Sequence, residues 1–276
     1  MAVKVNNLNL KDTITCGQIF RFIVEDDDSY TVILPDRVVN LKLDKDNLII
    51  DSNNMDNIEE VITKYLDLDY DYDSVNKEII KVDKSKKEVV DFCNGLKMIN
   101  EPRFEVVISY ILSANNGVPQ IRNSLNLISE KYGTKVVFRD KTYYLFPTPS
   151  MLKDTSIDDY RECKSGFRDK YIYEFVQKII NKEIDLDSID EMDSNSALNY
   201  LMSIKGIGEK VASCILLFGY HRFDVYPIDT WVKKYMKDNY NLTTVKQIRE
   251  YMKDKYKENS GLFIQYIFDY SRNKKD

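Results

Sequence analysis

The sequence predicts an α+β protein, with an N-terminal antiparallel β domain packed on a mostly α-helical domain. Three patterns predict it. Over about residues 20–51, short β-branched and aromatic runs are separated by Asp- and Asn-rich turns at hairpin spacing. Beyond about residue 90, apolar residues recur instead every three or four positions, the period of a helix with one buried face. Near residue 206, two glycines interrupt a helical stretch in Leu201-Met202-Ser203-Ile204-Lys205-Gly206-Ile207-Gly208-Glu209-Lys210, which predicts a helix-hairpin-helix over about 196–220. With 276 residues and 43% hydrophobic content, the chain can bury a real core. We divide it at 1–90 and 91–276, and expect the last helix to pack back towards the N-terminal domain.

Each element follows from local chemistry. Strands over 20–25 and 30–34 flank the turn Asp26-Asp27-Asp28-Ser29, and strands over 38–43 and 48–51 flank Asp44-Lys45-Asp46-Asn47. A helix is expected over 57–66, then an acidic connector over 67–74. Pro102 pre-sets the backbone for a helix over 103–113, and Asn115-Asn116-Gly117 breaks it. Pro119 opens the next helix, to about 132. Residues 135–148 read as turn-rich, ending in Phe146-Pro147-Thr148-Pro149. Helices follow at about 170–182, 195–203, 209–219, 228–239, 244–257 and 261–272. The abundance of Asn, Ile, Lys and Tyr fits an A/T-rich genome, so the 20 tyrosines are not taken as stacking platforms.

Composition excludes several classes. There is no 18-residue apolar run and no signal-type N-terminus, so a cytoplasmic chain without a membrane partner is expected. Cys16, Cys93, Cys163 and Cys214 have no paired metal spacing, which fits a reducing compartment. The single histidine, His221, argues against His-rich metal sites and Ser-His triads. A net charge of −5 looks wrong for a nucleic-acid binder until it is divided. Residues 1–90 hold 12 Lys and Arg against 19 Asp and Glu, leaving the remainder at +2, and 161–182 carry six basic and three acidic side chains. A local basic face can grip phosphates despite an acidic total, with salt-sensitive affinity.

The hairpin carries the chemistry. Glycines without a Cβ let amide N–H groups approach an anion at the start of the next helix, as phosphate binding requires. Lys210 ends the motif, and Asp229 closes Pro227-Ile228-Asp229, 19 residues on. An amine offers a nucleophile when a pocket or neighbour removes its proton, and a carboxylate can oppose a developing sugar cation. The pair suggests removal of a base from DNA. The plainer readings are a surface lysine after a structural hairpin and an aspartate that merely caps a helix. Cys214, four residues after Lys210 on one helical face, is either core or a thiol whose pKa the ammonium lowers.

From Met202 to Trp231 the chain resembles the helix-hairpin-helix/Gly-Pro-Asp superfamily of DNA glycosylases, and within it the 8-oxoguanine DNA glycosylases in a bacterial, clostridial-looking version. Further matches are Cys16-Gly17-Gln18-Ile19-Phe20-Arg21-Phe22, Ser113-Ala114-Asn115-Asn116, Gly166-Phe167-Arg168 and Gln265-Tyr266-Ile267-Phe268, so the resemblance spans roughly 10–272. The C-terminus lacks the four-cysteine cluster of the iron–sulfur relatives.

The resemblance implies Lys210 and Asp229 as catalytic pair, with a Schiff base and strand cleavage. Cys214 and Phe268 would hold the two faces of the flipped base, and the Gly17 carbonyl would accept the N7 proton of 8-oxoguanine. Asn115 would fill the gap left by that base, Phe167 would wedge beside the opposite base, and Arg168 would bond it. Lys205, Gly206 and Gly208 would meet phosphate. A structural cation at the hairpin would take the carbonyls of Met202, Ile204 and Ile207; the chemistry requires no cofactor. Three positions depart from the family. Gln120 replaces a cytosine-selecting arginine, Trp231 replaces a phosphate-contacting histidine, and Ile264 replaces a glutamine that reads the base edge, unless Gln265 takes that place. The expected partner is damaged double-stranded DNA, bound by a monomer in the bacterial nucleoid. Two alternatives stand beside this reading. One is a glycosylase for another damaged base, and the other a non-catalytic helix-hairpin-helix DNA-binding protein.

Overall fold

The alternating N-terminal runs pair as their patterning demands in the computed structural model, which describes residues 1–274. Strand β1 (Ala2–Lys4) is followed by a short helix α1 (Leu10–Thr15) and then β2 (Phe22–Val24), β3 (Tyr30–Ile33), β4 (Val38–Asp44) and β5 (Asn47–Ser52). They form one antiparallel sheet in the order β1-β5-β4-β3-β2. Register is set by the inward residues: Val39 and Leu41 of β4, Leu48 and Ile50 of β5 and Val32 of β3 are all fully buried. Helix α2 (Ile58–Tyr65) closes this smaller core with Ile58, Ile62 and Tyr65.

Two helices lie where the sequence showed only a connector and its continuation. The acidic run ends in a cap: the Asp71 carboxylate accepts from the Ser74 N–H at 3.0 Å and starts α3 (Tyr72–Val82), and α4 (Lys87–Phe92) follows. Both pack into the larger core through Tyr72, Val75, Ile79, Val89 and Val90.

That core is built around α5 (Arg103–Ser113), whose residues from Glu105 to Leu112 are all buried. Helix α6 (Val118–Tyr132) leads to a second correction. Residues 135–144 are not merely turns but a hairpin of β6 (Lys135–Phe138) and β7 (Lys141–Tyr144). Its two turn residues, Arg139 and Asp140, have φ of 50° and 59°, a conformation that Asn-Gly would have advertised and these side chains hide. Helices α7 (Ile157–Glu162), α8 (Asp169–Ile180), α9 (Ser194–Met202), α10 (Glu209–Tyr220), α11 (Thr230–Tyr240), α12 (Val245–Lys255) and α13 (Ser260–Asn273) complete the chain. Helix α10 packs on α5, and α13 packs on α11 and α4.

Gln18 fixes the seam between the cores. Its amide donates to the carbonyls of Lys97 at 2.7 Å and Thr13 at 3.1 Å, and its Oε1 accepts from the Ile99 N–H at 2.8 Å. The loop that carries Gly17 is thereby stapled against the helical domain, facing α13.

Candidate active site

The hairpin comes first because it aims everything else. Asp193 caps α9, accepting from the N–H groups of Asn195 and Ser196. Residues 203–208 then turn the chain into α10. Gly206 has φ 91°, and a Cβ there would stand 2.6–2.9 Å from the Tyr171 ring of α8, so only glycine fits. Lys205 Nζ bonds Glu174 Oε1 of the same helix at 2.7 Å, a second tie between hairpin and α8. Gly208 is the N-cap of α10 and lends it no side chain; a Cβ at Gly208 would meet nothing within 4 Å. Among the described residues the amides of Gly206, Gly208, Glu209, Lys210 and Val211 have no hydrogen-bond acceptor. They leave a donor-rich helix start open to an anion.

Lys210 stands exposed on that first turn. Its Nζ has no hydrogen-bond or ion-pair partner among the described residues. Asp229 is the N-cap of α11, with Oδ1 accepting from the Val232 N–H at 2.8 Å. Its capping role, expected from the sequence, is present. Both residues line one cavity of about 190 Å³, together with Cys214, Gly17, Ile264, Gln265 and Phe268. The structure thus gathers every residue that the sequence placed against the flipped base or its sugar.

The walls are specific. Gly17 has φ 98°, and a Cβ would touch the Phe268 ring at 3.5 Å, so the backbone and the aromatic face one another across the cavity. Gln265 is buried, and its Nε2 has no partner among the described residues. Ile264 beside it presents only hydrocarbon. Cys214 corrects one expectation. Its burial pushes the thiol up to about 12 and Asp229 adds to the rise, whereas the Lys210 charge pulls the other way and loses. Cys214 is therefore a neutral, apolar wall.

Other residues stand outside the cavity. Asn115 follows the end of α5 at φ 51°, and Asn115, Gln120, Phe167 and Trp231 are all exposed. Arg168 departs from its expected role. It is 6% exposed, and its guanidinium is spent on backbone carbonyls. Nε reaches Ala114 O at 2.8 Å, Nη2 reaches Asn115 O at 2.9 Å, and Nη1 reaches Ser165 O at 3.3 Å. It braces the Asn115 turn instead of offering a free fork. At the hairpin, the carbonyls of Met202 and Ile207 accept no backbone hydrogen bond among the described residues, while Ile204 accepts from Ile207 at 3.0 Å. No cluster of three or more His, Cys, Asp or Glu suited to a metal occurs among the described residues.

Phe20, Tyr110, Asn116, Val118 and Arg272 also line the cavity and were not assigned to it from sequence. For Arg272 the signal existed: positions 264, 268 and 272 repeat every fourth residue of α13 and share one face.

Comparison with known proteins agrees with this geometry. Residues 1–107 match a family model described as 8-oxoguanine DNA glycosylase, N-terminal domain. A probable N-glycosylase/DNA lyase of Methanothermobacter thermautotrophicus is 30% identical over 215 residues, covering 69% of this chain and 68% of that protein. The 8-oxoguanine glycosylase/lyase of Clostridium acetobutylicum, solved with double-stranded DNA containing cytosine opposite 8-oxoguanine, superposes with a TM-score of 0.92 at 34% identity, covering 99% of this chain and 97% of that one. A DNA-bound structure called MBOgg1 gives a TM-score of 0.94 at 34% identity, over 98% and 94% of the two chains.

Proposed function

Because this chain belongs to the 8-oxoguanine glycosylase/lyase family, we propose that it excises 8-oxoguanine from double-stranded DNA in base-excision repair and then cleaves the strand. The observation that carries this is a single cavity whose walls include an amine, a capping carboxylate, an aromatic ring and a bare glycine backbone. It opens beside a hairpin with unpartnered amides.

The division of labour follows from what each group can do. The amides of Gly206, Gly208 and the start of α10, with Lys205 beside them, grip phosphate. The extruded base enters between Phe268 and Cys214, with the Gly17 carbonyl accepting a hydrogen bond from the N7–H that guanine lacks. Asn115 fills the space the base leaves, and Phe167 wedges beside the opposite base. Once the Lys210 ammonium has given up its proton, the Nζ lone pair forms a bond to C1′ as the glycosidic bond breaks. The electron pair departs with the base, which takes up a proton. Asp229 opposes the positive charge that builds on the sugar, and its cap bond holds it in place. The sugar ring then opens to an imine on Nζ. Loss of a C2′ proton expels the 3′ phosphate, and water releases the enzyme.

No cofactor enters these steps. A structural cation on the carbonyls of Met202, Ile204 and Ile207 fits the two free acceptors there and would stiffen the hairpin. We place the protein as a monomer on DNA in the bacterial nucleoid. No helix among the described residues is long and apolar enough to cross a membrane.

Borohydride trapping tests the reading. The protein should form a covalent adduct with 8-oxoguanine DNA, and Lys210→Gln should abolish both adduct and excision while retaining lesion binding. Binding without any adduct in the unaltered protein would favour a non-catalytic DNA-binding protein. Adducts formed only with a different lesion would reassign the substrate.

A further inference from the structure

Arg272 has no part in the steps above, yet its side chain lines the cavity. Its Nη1 lies 2.9 Å from where a Gly17 Cβ would stand, so the guanidinium rests on the glycine backbone. Its Cζ lies 5.7 Å from the centre of the Phe268 ring, which holds the fork over the same wall. No carboxylate claims it. Asp269, one turn back, instead accepts from Asn273 Nδ2 at 2.7 Å, and Arg272 has no ion pair among the described residues. Apart from Lys210, it is the only cation among the described residues lining this cavity.

We propose that Arg272 is a specificity-determining residue whose guanidinium donates to an exocyclic carbonyl oxygen flanking N7 of the oxidised purine. This rests on the nucleobase reading of the cavity. If N7 faces the Gly17 carbonyl, the substituents on C6 and C8 stand to either side of it, within reach of a group lying on Gly17. In 8-oxoguanine both are carbonyl oxygens, and a guanidinium offers only donors. An adenine-type base puts an amino donor at C6, and there donor would face donor. Ile264 provides no polar atom at this wall, so the loss of a polar reader at that position is compensated from two turns further along α13. The contact is charge-assisted, and such bonds contribute about 1.5–3 kcal/mol, equivalent to roughly 10- to 100-fold in rate.

The test is single-turnover kinetics of the full chain, Arg272→Met and Arg272→Lys on three duplexes. These contain 8-oxoguanine opposite cytosine, 8-oxoadenine opposite cytosine, or a preformed abasic site. Arg272→Met should slow 8-oxoguanine excision about 10- to 100-fold, Arg272→Lys should recover part of it, and abasic-site cleavage should be unchanged, because no base is present there. A loss confined to 8-oxoguanine assigns the C6 oxygen, and an equal loss on 8-oxoadenine assigns the C8 oxygen; either supports the proposal. Excision by Arg272→Met at the unaltered rate overturns it. A parallel fall in abasic-site cleavage also overturns it, by reducing Arg272 to a phosphate contact or a structural residue. An unaltered protein that cleaves abasic DNA but removes no oxidised purine would instead overturn the functional reading on which the proposal stands.

Discussion

Asp229 has two duties for one carboxylate, and a single substitution separates them. Asparagine caps a helix as well as aspartate does but carries no charge. Asp229→Asn should therefore keep the fold, losing at most about 1 kcal/mol of interaction with the α11 dipole. Excision should slow by about 100- to 1,000-fold, the usual effect of removing one preorganised electrostatic contact from a transition state. Single-turnover rates beside urea unfolding would show this, and an unchanged rate would leave Asp229 as a cap alone. Opposite-base selection is also decided by single residues. Gln120 is uncharged and both donates and accepts, and Arg168 is committed to the carbonyls of Ala114, Asn115 and Ser165. Neither offers a free bidentate fork, so excision should depend weakly on the base opposite the lesion. Gln120→Arg should sharpen preference for cytosine by roughly tenfold or more. Excision timed on all four opposite bases measures it, and a steep cytosine preference in the unaltered protein would count against the argument. That Lys210 and Asp229 meet at one cavity was legible in the sequence from residue type and spacing. The burial of Arg168 and the neutrality of Cys214 were not, because both depend on which atoms the tertiary fold packs around them.

At the scale of elements, the hairpin distinguishes two glycines that look alike in sequence. Gly206 needs its positive φ and has the Tyr171 ring where a Cβ would go, whereas Gly208 has extended backbone and open space. Gly206→Ala should destabilise the protein by about 2–3 kcal/mol, combining left-handed strain with the displaced ring. Gly208→Ala should stay within about 1 kcal/mol of the parent and weaken DNA binding instead, its methyl standing where phosphate must approach. Urea unfolding and salt-dependent DNA titrations on both variants separate the effects, and equal stability losses would show that the hairpin is not asymmetric. The same contrast explains which elements could be read beforehand. The paired strands β2–β3 and β4–β5 announce themselves by alternation and turns, and α5 by Pro102 and an apolar period. By comparison, α1 and α4 have six residues each, too few for a period to emerge. Helix α3 hides behind an acidic run whose last aspartate is its cap, and β6–β7 turns on Arg139 and Asp140, which carry no turn signature.

Across the whole molecule, the two cores are joined by a largely buried charge cluster whose arithmetic does not balance at neutral pH. Glu105 is buried and Glu101 half-buried where α2, α5 and the Gly17 loop meet. Arg21 Nη1 bonds Glu105 Oε1 at 3.2 Å, and the Tyr65 hydroxyl donates to Glu101 Oε1 at 3.1 Å. One guanidinium faces two carboxyls, so one carboxyl keeps its proton. Burial first, and the neighbouring Glu105 second, push Glu101 up to about 8, against the pull of Tyr65 and Arg21. In the unfolded chain this group titrates near 4.5. Between those values the folded state binds more protons than the unfolded state, so stability from this group is greatest at low pH and falls as pH rises through the window. Glu101→Gln keeps an acceptor for Tyr65 and removes the titration. The variant should match the parent near pH 4.5 and exceed its stability by about 1–3 kcal/mol at pH 8, after relaxation and water entry reduce the full penalty. The backbone N–H of Glu101 donates to the Phe218 carbonyl at 2.9 Å, which ties the cluster to α10, the helix that carries Lys210. Melting that helix and melting the interface should therefore be one event. Unfolding curves at pH 5 and pH 8, followed by far-ultraviolet dichroism and by Trp231 fluorescence, should coincide and shift together in the variant. Curves that stay parallel for parent and variant at every pH would place the proton elsewhere.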